Sequence, residues 1–306
     1  MSRVQSFRFA FVLLLALWAS GCQRGASPDR RAAPARDSAT SGFPLRVQDD
    51  MGRLVVVPAE PKRIICLLPS FTETVFALGL GERVIAVDDY SDYPPEVRSL
   101  PKLGGLYDTQ IEHALSLHPD LVLMPEGGST VWSLARGGAA VWAGSARKFE
   151  DVFRVIEETG RLVGRAREAS ELASRLRAEI ASVEASVQAQ PPVSVYYELD
   201  STPYSVGPAS FIGVLLGKAG GKNIVPAALG DFPKLNPELI VASDPEVIIG
   251  ASLEDVARRP GWSGLRAVKN RRVFNWSPAE SHLLARPGPR LAEGVRALAR
   301  YLHQTP

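Results

Sequence analysis

The stretch that most restricts the fold is residues 60–105, in which short apolar runs alternate with one helical segment. Ile64–Leu68 is an unbroken apolar run, typical of a strand that is buried on both faces. A helix is predicted next, with Ser70 or Thr72 as the cap of its N-terminus. Val84–Val87 then predicts a second buried strand. Two such strands joined by a helix indicate neighbouring strands of a parallel α/β sheet.

The loop after the second strand, DDYSDYPPEV, is the first candidate for ligand contact. It combines two tyrosines, three aspartates and two prolines. In an open α/β sheet, ligands bind in the crevice beyond the carboxyl ends of the strands. Because this loop leaves such an end, we expect Tyr90, Asp92 and Tyr93 to contact a ligand.

The alternation of strands and helices continues along the chain. Phe43–Val57 predicts a β-hairpin that turns at Asp50-Met51-Gly52. Further strands are predicted at Leu121–Met124, Ala139–Trp142, Val193–Glu198, Val247–Gly250 and Val273–Asn275. Further helices are predicted at Ile111–Leu117, Ser129–Arg136, Phe211–Ala219, Pro237–Ser243 and Pro287–His303. This order predicts mostly parallel sheets with helices on their faces.

Residues 149–188 follow a different pattern, in which apolar residues recur at intervals of three and four, as in an amphipathic helix. Gly160 and Gly164 are predicted to divide it, with a long second segment from Arg165. A helix of about 20 residues reaches about 30 Å. The pattern alone fits a surface helix, and the length and mid-chain position also fit a rigid connection between two lobes.

Several of these segments together resemble the class III periplasmic binding proteins of ABC importers for vitamin B12, iron-siderophores and haem. The shared pattern begins with KRIICLLPSFTE, ALGLGERVIAV and SDYPPEV, and the run YSDYPP is most similar to the cobalamin-binding members. It continues in LHPDLVLM, EGG, YSVG, GGKNI, NPELIVASDPEVII and RPGPR. In this order and spacing, the resemblance covers roughly residues 45–304.

The resemblance implies two Rossmann-like lobes with mostly parallel sheets, joined by one long backbone helix, with the ligand cleft between them. The expected divisions are a lipoprotein signal peptide (1–21), a disordered tether (22–43), the N-terminal lobe (44–148), the linking helix (149–189) and the C-terminal lobe (190–306). The implied role is to capture cobalamin or a related corrinoid and deliver it to an ABC permease in the inner membrane. We expect a monomer that holds no cofactor apart from this ligand.

Two alternatives remain open at this point. The same transport role with haem or a ferric siderophore is one, although the predicted cleft loops carry more Asp, Glu and Tyr than the Arg or Lys that an anionic siderophore needs. The other is a lipoprotein that stores or senses a tetrapyrrole without transporting it.

Aromatic residues at predicted loops and strand ends indicate how a large flat ligand is held. Any one of them fits a core position, whereas six in both lobes are typical of the apolar walls of a binding site. They are Tyr90, Tyr93, Tyr107, Tyr204, Phe232 and Trp276. In the resembling cobalamin binders, the regions matching Tyr90, Gly105–Tyr107, Tyr204 and Trp276–His282 contact the ligand. The EGG motif adds Glu126 and Gly127 to the expected contacts.

His282 differs from the other histidines because it follows the predicted strand end at Asn275, which places it at the cleft. An imidazole there could bind a ligand or coordinate a cobalt or iron centre. The alternative is a histidine whose hydrogen bonds are satisfied within its loop. His113, His118 and His303 lack metal-ligand spacing, and no metal held by protein side chains is expected.

Glu73 and Glu238 lie in matching motifs, SFTE and NPEL, one in each expected lobe. In the family that the chain resembles, an exposed glutamate at each place docks on arginines of the permease. The resemblance therefore implies a docking role for both residues. The alternative is that each carboxylate is favoured simply because it lies near a helix N-terminus.

The N-terminus predicts export. Phe9–Trp18 is an apolar run preceded by arginines, and its ten residues are too few to span a bilayer, which takes about 20. It ends in ASGC, which resembles a lipobox and predicts a lipid on Cys22. Ala19 departs from the usual leucine, and an ordinary cleaved signal is the alternative. Residues 23–42 lack hydrophobic periodicity, which indicates a disordered tether, either solvated or touching anionic headgroups. The expected location is a membrane surface, periplasmic or on the cell exterior.

Other features argue against an enzyme or a nucleic-acid binder. The net charge of +2 includes the arginine-rich tether, so nothing indicates nucleic acid. Cys66, the only other cysteine, is predicted to be a small buried hydrophobe without a disulfide partner. There is no G-x-S-x-G motif, and GGKN lacks the residues of a phosphate loop. No catalysed reaction is expected.

Overall fold

The computed structural model describes residues 42–304. The predicted signal peptide, Cys22 and nearly all of the predicted tether lie outside the described residues. Phe43, at the end of that predicted tether, packs against the hydrophobic core. Within the described range, no helix is both long and apolar enough to cross a bilayer.

The N-terminal lobe starts with an antiparallel hairpin of β1 (Leu45–Gln48) and β2 (Leu54–Val57), where buried and exposed residues alternate as predicted. Its four-stranded parallel sheet has the order β4-β3-β5-β6. The strands are β3 (Ile64–Cys66), β4 (Val84–Val87), β5 (Leu121–Met124) and β6 (Ala140–Ala143). The connecting helices are α1 (Pro69–Ala77), α2 (Ile111–Ser116) and α3 (Thr130–Arg136). Every residue of β3 and β5 is buried, which explains their unbroken apolar sequence.

Two helices, α4 (Phe149–Leu162) and α5 (Ala166–Val187), connect the lobes. The division falls at Gly164, which adopts φ +75°, a conformation that favours glycine. Gly160 lies inside α4, where a Cβ atom would come within 2.1 Å of the Ala169 Cβ atom. It therefore allows α4 and α5 to pack closely, and the long connecting helix of 22 residues is α5.

The C-terminal lobe repeats the parallel arrangement, with strand order β10-β9-β7-β8. Its strands are β7 (Val193–Tyr197), β8 (Gly221–Asn223), β9 (Val247–Ile249) and β10 (Val273–Phe274). Its helices are α6 (Phe211–Lys218), α7 (Pro237–Ser243), α8 (Leu253–Arg258), α9 (Arg266–Lys269), α10 (Pro278–Ala285) and α11 (Leu291–His303).

One hydrophobic core continues through both lobes. It contains Phe71 of α1, Phe153 of α4, Ile180 of α5 and Leu291 of α11. A smaller cluster covers the other face of each sheet. The prediction of two α/β lobes with parallel sheets is confirmed, and the lobes share a core in addition to their covalent connection.

Several local predictions were wrong. The final helix was predicted to begin at Pro287, but α11 begins at Leu291. The sequence at Trp276–His282 was interpreted as a loop, but it includes the start of α10. The Ser277 hydroxyl accepts from the Glu280 backbone N–H at 3.2 Å, and the Glu280 carboxylate accepts from the Ser277 N–H at 3.3 Å. This reciprocal pair is a capping box, and Pro278 occupies the first helical position. Neither Ser70 nor Thr72 caps α1, because the helix already begins at Pro69.

Candidate functional site

The predicted ligand residues of the N-terminal lobe lie on loops that leave the carboxyl ends of its strands. Tyr90 and Tyr93 follow β4, and their side chains remain 68% and 41% exposed. Gly105 lies beside Tyr90, because a Cβ atom on Gly105 would come within 3.2 Å of the tyrosine ring. Tyr107 is 98% exposed, so it has no packing role in the structure. Exposed aromatic side chains grouped in this way are available for a ligand.

The C-terminal lobe presents a similar surface. The backbone of Tyr204 pairs with that of Lys234 in an antiparallel bridge just beyond β7. This bridge brings the two predicted residues Tyr204 and Phe232 onto adjacent chain segments, where both are exposed. Leu199 and Leu229 are also exposed nearby in the chain, although the sequence did not single them out. Apolar residues are thus available in both lobes.

Glu126 and Gly127 follow β5, again at a carboxyl end. The Glu126 carboxylate accepts from Arg147 Nε at 2.6 Å, and Arg147 follows β6 of the same sheet. Burial alone would raise the pKa of Glu126, but Ser145 and Arg147 together lower it below its ordinary value. Arg147 itself is 75% exposed and gives this edge of the site a positive group, which sequence reasoning missed.

The inner side of the Tyr90 loop is held by a buried polar network. The Ser91 hydroxyl bonds to the Asp88 carboxylate and lies 2.8 Å from the Thr72 hydroxyl of α1. Burial raises the pKa of Asp88. The Lys102 ammonium donates to the backbone carbonyls of Asp88 and Ser91. The backbone that carries Tyr90 is therefore fixed from within its own lobe.

The outer side of the same loop is held from the C-terminal lobe by Arg286 and Arg290, which flank the Pro-Gly-Pro between α10 and α11. Arg286 donates to the Asp92 carboxylate at 2.7 Å and to the Tyr90 carbonyl at 2.9 Å. The Arg290 guanidinium lies 3.7 Å from the centre of the Tyr93 ring. Burial alone would raise the pKa of Asp92, but Arg286 lowers it overall.

Both arginines also bind Glu73. Arg290 forms a two-pronged ion pair with it, at 2.7 and 2.9 Å, and Arg286 approaches one oxygen to 3.2 Å. The Glu73 side chain is only 2% exposed. We call Glu73, Asp92, Arg286 and Arg290 the interlobe latch. The RPGPR motif was visible in the sequence, but nothing in it identified acids about 200 positions away.

The expectation of two exposed glutamates holds for one position only. Glu238 lies in the first turn of α7 and is exposed. Among the ion pairs of the described residues, none includes Glu238, whereas Glu73 is buried against two arginines. The expected exposure of Glu73 is therefore wrong, because the RPGPR segment of the other lobe covers it.

His282 and Trp276 are not side by side in one loop. His282 lies on α10, 37% exposed, with its Nδ1 atom 3.7 Å from the Asp92 carboxylate. The Trp276 ring packs edge-on against Tyr301 of α11, with centroids 5.1 Å apart. His282 is thus beside the interlobe latch, while Trp276 packs on the final helix.

Cys66 is fully buried in β3, and burial raises the pKa of its thiol. Among residues 42–304, no group of three or more His, Cys, Asp or Glu side chains is placed to hold a metal ion. What the two carboxyl edges do offer is exposed aromatic surface with a small number of fixed charges.

Comparison with known families identifies this architecture. The model of the periplasmic binding protein family matches residues 64–280, which is more than two thirds of the chain. The chain belongs to the periplasmic binding protein family, and the resemblance noted in the sequence is confirmed.

Two relatives align over nearly the whole chain. A Bacillus subtilis protein described as an ABC transporter substrate-binding lipoprotein is 31% identical, and the alignment covers 96% of each chain. A Halobacterium salinarum protein described as a cobalamin-binding protein is 29% identical, with 97% of this chain and 85% of the relative covered.

Solved structures of similar fold carry different ligand descriptions. The vitamin B12-binding protein BtuF of Vibrio cholerae superimposes with a TM-score of 0.66 at 25% identity, covering 79% of this chain and 97% of its own. A haem-binding protein from Roseiflexus gives 0.68 at 25% identity, covering 79% and 98%. A possible iron-binding protein from Staphylococcus epidermidis gives 0.72 at 27% identity, covering 80% and 100%.

Proposed function

We propose that this protein captures cobalamin or a related corrinoid outside the cytoplasm and delivers it to an ABC importer. The observation that carries the proposal is the set of exposed aromatic side chains on both lobes, at the loops beyond the carboxyl ends of the strands. The relative described as cobalamin-binding, which aligns over nearly the whole chain, supports the same ligand.

The charges of the site favour a corrinoid over an anionic siderophore. Of the arginines near the Tyr90 loop, Arg286 and Arg290 are occupied by Glu73 and Asp92. Arg147 on the opposite edge is paired with Glu126. A polyanionic ligand would have to compete with these carboxylates. A corrinoid is a large, flat ring whose amide side chains carry no charge, so aromatic walls and a few polar contacts are enough to hold it.

Haem is the second candidate, and one observation favours it. Tyr107 is almost fully exposed, so its phenol oxygen is free to approach a bound metal centre. Tyrosine is an established axial ligand of haem iron. His282 is also partly exposed, although it already lies near Asp92.

Two further features concern docking to the permease and attachment to the membrane. Glu238 would meet a permease arginine, since its carboxylate is exposed at the surface of the C-terminal lobe. A lipid on Cys22 would keep the protein at the membrane, in line with the description of the Bacillus relative as a lipoprotein. The protein would act as a monomer and catalyse no reaction.

The test is a titration of the full chain, purified in detergent, with cyanocobalamin, haemin and a ferric siderophore in parallel. Absorbance and calorimetry would report affinity and stoichiometry. Submicromolar one-to-one binding of cyanocobalamin alone is expected. Binding of haemin or the siderophore in its place would overturn the corrinoid assignment while leaving the transport role in place.

A further inference from the structure

The interlobe latch joins the two lobes at the loop that carries the ligand wall. Its acids, Glu73 and Asp92, belong to the N-terminal lobe, and its bases, Arg286 and Arg290, belong to the C-terminal lobe. We propose that Arg286 and Arg290 are positioning residues that fix the Tyr90–Tyr93 wall, and with it the spacing of the lobes, in the arrangement that accepts the ligand. This inference rests on the proposed function.

The two arginines contact three residues of the loop that follows β4. Arg286 spans the loop by holding the Tyr90 carbonyl and the Asp92 carboxylate at the same time. Arg290 lies against the face of the Tyr93 ring. Three predicted ligand residues are therefore oriented by two side chains from the opposite lobe. Moving the arginines away would release the outer side of the loop.

Helix α1 links the two sides of the loop. Thr72 bonds to Ser91 on the inner side. The next residue, Glu73, binds both arginines on the outer side. The loop is thus held on one side by hydrogen bonds within its own lobe and on the other side by the interlobe latch. Both sets of contacts include a residue from the same turn of α1. A change at Glu73 is expected to reach Tyr90 and Tyr93 without direct contact with a ligand.

Burial makes the latch resist opening. Glu73 is 2% exposed and Arg286 is 8% exposed, so separating the lobes here would leave buried charges without partners. Such a separation is unfavourable because the buried carboxylate loses its compensation. The two carboxylates of the interlobe latch balance the charge of its two arginines. Asp92, with a side chain that is 45% exposed, is its only member with substantial contact with water. The latched arrangement should therefore dominate without ligand.

The backbones approach closely enough to allow a direct test. A Cβ atom on Gly288, between the two arginines, would lie 3.5 Å from the Ser70 Cβ atom of α1. Disulfides need Cβ atoms about 3.5–4.5 Å apart. The substitutions Ser70→Cys and Gly288→Cys can therefore replace the ionic latch by a covalent one that a reductant removes.

The experiment compares wild type with a latch-free variant, Glu73→Gln/Arg286→Met/Arg290→Met, each with and without the cysteine pair. The latch-free design removes all the buried charges together, so that none is left unpaired. All variants carry Cys22→Ser to prevent mispairing, and Cys66 is fully buried. The readouts are cyanocobalamin affinity and amide hydrogen exchange of residues 88–96 without ligand.

The latch-free variant should bind cyanocobalamin about tenfold more weakly, if the competent arrangement falls to about a tenth of the population. Exchange in residues 88–96 should accelerate. Oxidising the cysteine pair should restore both values, and reduction should abolish the rescue. Wild-type affinity and protection in the latch-free variant, or a disulfide that forms without restoring them, would overturn the proposal.

A matched control separates positioning from general stability. Arg53→Met breaks another buried pair, in which Arg53 lies 2.6 Å from Asp49 within the β1–β2 hairpin. It should lower the unfolding temperature but leave affinity and exchange at 88–96 unchanged. An equal effect of Arg53→Met on those two readouts would count against a specific role for the latch.

The proposal can still be tested if the latch-free variant does not fold or if wild type binds no ligand. If the latch-free variant does not fold, Arg290→Lys retains the charge but loses the two-pronged geometry, and it should show the same changes in smaller measure. If wild type binds none of the three ligands, the proposed function fails, while exchange at 88–96 and its rescue by the disulfide still decide whether the latch exists.

Discussion

Glu73 and Glu238 occupy matching places in the two lobes, yet the structure puts them in opposite surroundings. Glu73 is buried and accepts three hydrogen bonds from Arg286 and Arg290. Glu238 is exposed in the first turn of α7, where its backbone N–H donates to the Asn236 side chain at 3.1 Å. The two acids share a motif position, but one is part of the interior and the other is part of the surface.

The difference arises from what covers each helix. The RPGPR segment of the C-terminal lobe passes over α1, so close that Gly288 nearly touches Ser70. Glu238 on α7 receives no such cover. A matching motif therefore does not guarantee a matching role, and the surface acid is the one that fits the proposed docking with a permease.

The largest effect that separates the two acids is expected in stability. Glu73→Ala removes the carboxylate that Arg286 and Arg290 share, and loss of one partner of a buried pair costs about 3–5 kcal/mol. Glu238→Ala removes an exposed side chain and should change the unfolding free energy by no more than about 0.5 kcal/mol. Urea denaturation measures both. Equal stabilities would show that the burial of Glu73 has no energetic weight.

A smaller effect is expected at the cap of α10, the helix that leads into the RPGPR segment. Ser277→Ala removes the hydroxyl that accepts from the Glu280 N–H, which should lower the unfolding free energy by about 1 kcal/mol. Ser281→Ala, on the same helix but outside the cap, is the control. Equal losses in the two variants would contradict the capping box.

The smallest effect is expected when Tyr93, which contacts Arg290 of the interlobe latch, is compared with Tyr204, which lies in the C-terminal lobe. Tyr93→Leu removes the stacking with Arg290 and should cost about 0.5 kcal/mol of stability, while Tyr204→Leu should cost less. Both substitutions should weaken cyanocobalamin binding, because both rings are proposed to line the site. A Tyr204→Leu variant with unchanged affinity would remove that residue from the proposed site.

Strands and helices with a strong local sequence signal were predicted correctly. Val84–Val87, Leu121–Met124 and Pro237–Ser243 match the observed bounds, because buried strands and a proline-initiated helix have strong local signals. The missed start of α10 also had such a signal, in the SPAE capping box. These successes and this miss both concern residues close together in the chain.

The latch could not be predicted in the same way. Its pairs join residues 213 and 217 positions apart, and nothing in a single sequence assigns a particular arginine to a particular glutamate over that distance. Burial of Glu73 depends on the approach of the two lobes, which is a property of tertiary packing. The predicted aromatic residues fared differently: most are exposed near strand ends, but Trp276 packs against α11.

Uptake of labelled cyanocobalamin by cells that carry Glu238→Ala tests the transport role most directly. Glu171→Ala, an exposed acid on α5, is the control. We expect Glu238→Ala to keep wild-type abundance and ligand affinity while uptake falls at least about tenfold, since loss of one member of a docking charge pair costs about 2–5 kcal/mol. Undiminished uptake in this variant would contradict docking through Glu238 and favour a protein that stores or senses its ligand.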